Sequence, residues 1–163
     1  MQLCRRLVEL DGVVELHEFC LLRILERSLD EALAPSTVSR GRRGSKQEIR
    51  NSALMLLRIV ADRGNHTDED RQRAYKHGVS VFGDWAGDSG PEQYDGGRPG
   101  AEALAKSLAV LERLGSKGTR TLIDAIAAAV SADGRLATAE AELLRAVCAS
   151  LNCPLPPLAA LRT

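Results

Sequence analysis

The stretch Val130–Leu151, VSADGRLATAEAELLRAVCASL, decides the fold because its pattern recurs: Val8–Leu29 reads VELDGVVELHEFCLLRILERSL. The copies lie 122 residues apart, placing Asp11-Gly12 on Asp133-Gly134 and Val14 on Leu136. In the same register Glu18 falls on Glu140, Leu21-Leu22-Arg23 on Leu143-Leu144-Arg145, and Leu29 on Leu151. Each copy predicts one module. A helix runs out at Asp-Gly, where glycine takes a left-handed conformation and aspartate bonds its own backbone. The apolar residue two positions on tucks inward. A second helix then starts with a glutamate in its first turn, where the helix dipole favours a negative charge, and the Leu-Leu pair enters the core.

Working outward, apolar residues recur at helical spacing almost everywhere. Leu22, Leu25, Leu29 and Leu33 form one stripe; Ile49, Ala53, Leu56, Leu57 and Val60 a second; Leu104, Leu108 and Leu111 a third. Steps of three and four put each set on one helix face, and no useful length alternates with period two. The expected fold is all-α: a compact bundle of about seven helices, near 2–10, 15–33, 46–63, 68–83, 100–115, 118–132 and 138–151, containing the two related helix–DG turn–helix modules. Residues 1–153 are expected to form a single domain. Residues 154–163 are expected to form an extended tail, because Pro154, Pro156 and Pro157 lack the amide donor a helix needs. Gly, Pro, Ser and Asp mark 34–45 and 83–100 as loops, the second long enough to be functional or disordered.

Lys and Arg total 22 against 22 Asp and Glu, so no global charge points to nucleic acid or an anionic membrane. No run approaches the roughly 20 apolar residues of a membrane span. The opening MQLCRRLVELDG lacks the apolar core and cleavage site of a secretory signal. Cys4, Cys20, Cys148 and Cys153 have no C-x-x-C spacing, and read as reduced, mostly buried small hydrophobes.

The Asp-Gly modules also invite a calcium reading. With the glycine at loop position six of an EF-hand, Asp11 and Asp133 take position five and Glu18 and Glu140 position twelve. Position one would be Leu7 and Ala129, so both loops lack the first carboxylate. The candidate metal ligands are therefore Asp11, Glu15 and Glu18 in the first loop, and Asp133 and Glu140 in the second. Any divalent metal there would bind weakly; otherwise no cofactor is expected.

Catalytic signatures are missing. The sole His-Glu pair, His17-Glu18, has Leu21 where the second histidine of a zinc-binding H-E-x-x-H helix belongs, so His17 reads as an exposed first-turn residue. No nucleophile elbow, phosphate loop or dinucleotide-binding glycine motif occurs. Thr67 followed by Asp68-Glu69-Asp70 reads as a helix cap and first turn. Arg40, Arg42 and Arg43 make a basic loop, but no aromatic residue interleaves to stack bases, so it reads as a solvated connection or a contact site. Trp85 and Tyr94, scarce aromatics in a Gly-rich loop, read as interface anchors or as plugs folded over the helices.

At these residues the chain resembles the tellurite-resistance TerB-like family, helical domains with an internal repeat of this DG…E…LLR signature. It is most similar to the C-terminal region of some bacterial membrane zinc metalloproteases of the HtpX-like class. Ala128–Leu158, ending in CPLPPL, and Ile59–Val79 carry that likeness. The family's capping Ser or Thr, three residues before the module's glutamate, is replaced by Glu15 and Ala137, with Thr138 one residue further on. The resemblance implies a non-catalytic accessory or regulatory domain acting through protein contacts. It would sit in the cytoplasm, tethered to the inner membrane through a parent metalloprotease or an envelope-stress protein. Proteolysis would reside outside this chain. The alternative is a metal-ion sensor using the acidic DG loops.

Overall fold

The computed structural model describes residues 16–33, 45–64, 67–86 and 99–157. Among them are six α-helices and no strand: α1 (Leu16–Leu33), α2 (Lys46–Gly64), α3 (Asp68–Ser80), α4 (Ala101–Leu111), α5 (Ser116–Val130) and α6 (Thr138–Ser150). Short 3-10 turns follow α3 at Gly83–Ala86 and α5 at Ser131–Asp133. The expected helix over 2–10 lies outside the described residues, as does the first Asp-Gly turn.

Helix α2 is the axis of the bundle. It packs against α3, α4, α5 and α6, while α3 pairs with α5 and α1 with α6. Its burial matches that place: Ala53, Leu56, Leu57 and Val60 of the expected stripe are sealed, and so are Leu54, Ile59 and Ala61 on its flanks. A helix with neighbours on most sides hides more than one stripe. Ser45 and Glu48 start it with a reciprocal capping box. The Ser45 hydroxyl accepts from the Glu48 amide at 3.1 Å, and the Glu48 carboxylate accepts from the Ser45 amide at 2.6 Å. Thr67 caps α3 as expected, accepting from the Asp70 amide at 3.1 Å. The stripe of α4, Leu104, Leu108 and Leu111, is fully buried.

Where α3 crosses α5, Gly78 lets the backbones meet. A methyl group there would stand 2.9 Å from the Ala125 carbonyl oxygen and 3.1 Å from the Ala129 side chain. Only glycine fits without moving a helix.

Helix α1 departs from expectation. Its buried face is Leu16, Cys20 and Glu26, flanked by half-buried Phe19 and Ile24. Of the expected stripe, Leu22 is only half-buried, and Leu25 and Leu29 face solvent together with Leu21. The side chain of Leu33 lies outside the described residues. In α6, by contrast, Leu143, Leu144, Ala146 and Val147 are all sealed. Leu22 and Leu144, matched by the repeat, are thus not equivalently buried. The reason is location: α6 is clasped between α1 and α2, whereas α1 packs chiefly on α6. Arg23 fastens α1 in this setting. Its guanidinium pairs with Glu112 at the end of α4, lies 3.5 Å from Glu26, and donates to the Ser150 hydroxyl at 3.3 Å. A cation placed by the C-terminal ends of α4 and α6 also suits their dipoles.

Candidate functional site

The second Asp-Gly turn follows the chemistry expected of its residues. Gly134 is left-handed at φ 70°, and the Asp133 carboxylate accepts from the Arg135 amide at 2.9 Å. Leu136 turns half-buried against the core. Ala137 is then the N-cap of α6 and Glu140 its third residue. Glu140 reaches back to accept from the Ala137 amide at 2.9 Å. Alanine has no side-chain oxygen to return the bond, so half of a capping box operates here. Thr138 is the exposed first residue of the helix and not its cap.

Glu140 is only 3% exposed. Its carboxyl fills the space a side chain at Gly64 would occupy, so the end of α2 closes over it. Burial pushes the acid up to about 7; the Ala137 amide opposes that rise and the Asp133 charge adds to it. The group is thus a structural acid poised near neutrality. The structure sets Asp133 at the exposed turn and Glu140 beneath α2, each engaging a backbone amide. Glu18 stands in the first turn of α1. Among the described residues, no three His, Cys, Asp or Glu side chains gather around one point. Asp11 and Glu15 lie outside the described residues.

Beside this turn, four helix ends enclose a cleft of about 340 Å³. Leu16, His17 and Cys20 come from the start of α1, Arg63 from the end of α2, Gly100 and Ala101 from the start of α4, and Ala139, Glu142 and Leu143 from the start of α6. Its lining mixes apolar side chains with the Arg63 guanidinium, the Glu142 carboxylate and the His17 ring. His17 is exposed there, as expected of a first-turn residue. Cys20 is buried, and burial foremost, then the Glu142 charge, pushes its thiol up to about 11 against the pull of Arg63. At neutral pH it is a thiol and not a thiolate, which makes it a poor nucleophile. Sequence reasoning missed the cleft, because its lining comes from four segments far apart in the chain.

Trp85 stands in the 3-10 turn that follows α3. Its ring meets Phe82 edge-on at 4.9 Å and 65° between planes, yet it keeps 38% of its surface exposed. Tyr94, Arg40, Arg42 and Arg43 lie outside the described residues. On α1, Leu21, Leu25 and Leu29 are 53%, 52% and 40% exposed. At steps of four they form one apolar ridge along the helix. No described helix is long and apolar enough to cross a membrane. Comparisons with family models, curated proteins and solved structures give no match.

Proposed function

We propose that this chain is a non-catalytic, TerB-like helical domain that works by protein contact, in the cytoplasm, as an accessory to a membrane metalloprotease. The observation that carries the reading is the ridge Leu21–Leu25–Leu29. Three leucines in line, each at least 40% exposed, are an apolar surface of the kind that binds a partner. Trp85, anchored on Phe82 and half open, supplies a second contact of the type that dominates interfaces. The TerB-like part of the reading rests on the sequence resemblance of the DG…E…LLR signature, whose second copy runs from Asp133 to Arg145.

The test replaces Leu25 with Asp. The position is exposed, so the fold should hold, with an unchanged circular dichroism spectrum and a stability loss of no more than about 1.5 kcal/mol. The wild-type chain should co-purify with a membrane metalloprotease from solubilised membranes of its source, and the variant should not. Equal recovery with both chains, or zinc-dependent peptidase activity of the purified chain itself, would overturn the proposal.

A further inference from the structure

Helix α6 ends in a turn that joins two cysteines. The Cys153 amide donates to the Cys148 carbonyl at 3.0 Å and the Asn152 amide to Ala149 at 3.3 Å. Asn152 is left-handed at φ 51°. These two nested bonds around a left-handed residue define the Schellman motif, which ordinarily presses an apolar side chain just past the helix onto one five residues earlier. Here both partners of that contact are cysteines.

The backbone bond fixes their reach. A carbonyl oxygen lies about 2.4 Å from its own Cα, and an amide nitrogen about 1.5 Å from the next. The 3.0 Å hydrogen bond therefore holds the two Cα atoms within about 7 Å even at full stretch, the outer limit for a disulfide. The Cys153 sulfur also turns inward, 3.7 Å from the Cys148 carbonyl oxygen. Cys148 is buried and Cys153 half-buried, so only one of the pair meets solvent.

We propose that Cys148 and Cys153 form a reversible intramolecular disulfide, made by exchange with a small-molecule disulfide. The Cys153 thiolate attacks one sulfur of the small disulfide, forming a mixed disulfide and releasing one small thiolate. Cys148 then loses its proton and attacks the Cys153 sulfur, releasing the second. The protein pair gives up two electrons and two protons, and the small disulfide becomes two thiols. Closure ties the exit of the Pro154–Pro157 segment covalently to the last helix. In the reduced protein, burial foremost and then the Cys153 sulfur push the Cys148 thiol up to about 12, and burial raises Cys153 as well. Exchange is therefore slow at neutral pH and accelerates as pH rises.

The test uses the purified full chain, reduced, freed of reductant, and incubated with oxidised glutathione at pH 8 before alkylation and trypsin digestion. The peptide Ala146–Arg162 carries both cysteines. It should appear unalkylated and about 2 Da lighter than the dithiol, and dithiothreitol should restore it. In Cys148→Ala the reaction should stop one step earlier, with glutathione retained on Cys153. Wild-type peptide recovered with two alkylated thiols, or with glutathione fixed on Cys153, would overturn the proposal, as would a Cys148→Ala chain that acquires no adduct. The wild-type peptide map does not depend on any variant folding.

Discussion

Replacing Glu140 with Gln should make the protein more stable at alkaline pH while leaving it nearly unchanged in acid. The carboxyl is sealed beneath Gly64, and burial raises it from an ordinary 4.5 to about 7. At roughly 1.4 kcal/mol per pH unit, that difference amounts to about 3 kcal/mol of preference for the neutral form in the folded state. Below about pH 4.5 both the folded and unfolded chains hold the proton, so this residue adds no pH dependence. Between about 4.5 and 7 the unfolded chain has lost the proton and the folded chain keeps it, so stability falls as pH rises. Above about 7 both are ionised and the loss is complete. Glutamine has the same shape and keeps an oxygen for the Ala137 amide at the start of α6, but it never ionises. Urea unfolding followed by circular dichroism at pH 4 and pH 8 measures the effect. The variant should gain about 3 kcal/mol over the wild type between the two, and taking the difference cancels any pH-independent cost of the amide. Parallel stability–pH curves for the two proteins would refute the claim that this acid is buried against its own ionisation.

Leu144→Ala should cost about 2–5 kcal/mol in the same unfolding assay, because the side chain is sealed between helices; Leu25→Ala, at the matching face of α1 but exposed, should cost less than about 1 kcal/mol. Gly78→Ala should destabilise by about 1–2 kcal/mol despite alanine's better helix propensity, since its methyl meets the Ala125 carbonyl; a stabilised variant would disprove the close approach of α3 and α5. Calorimetric titration with calcium should show binding no tighter than about millimolar; micromolar binding abolished by Glu18→Gln would instead favour the metal-sensor alternative.

Much of the bundle was legible in the residues. The stripes of α2 and α4, the Thr67 cap and the Asp133-Gly134 turn each express short-range rules in which side-chain spacing or turn chemistry dictates geometry. Helix α1 shows where such rules end. It is leucine-rich on more than one side, and periodicity states which residues share a face without stating which face meets a neighbour. The core takes Leu16 and Cys20, leaves Leu25 and Leu29 outside, and buries Glu26 beside Arg23. Glu140 was recognisable as a helix-start glutamate. Its burial was not, because that depends on Gly64 from a segment far away in sequence. The cleft at Arg63, Cys20 and Glu142 was hidden for the same reason. The Cys148–Cys153 contact is different: an asparagine just past a helix, between cysteines five apart, is a local signal that could have been read.

The most direct test of the central proposal, that this domain acts through the exposed face of α1, is site-specific photocrosslinking in its source cells. A photoreactive residue at position 25 on the leucine ridge should yield an adduct with a membrane metalloprotease, and one at Arg120, exposed on α5, should not. Crosslinking from position 120 with none from position 25, or no protein adduct from either, would contradict the account.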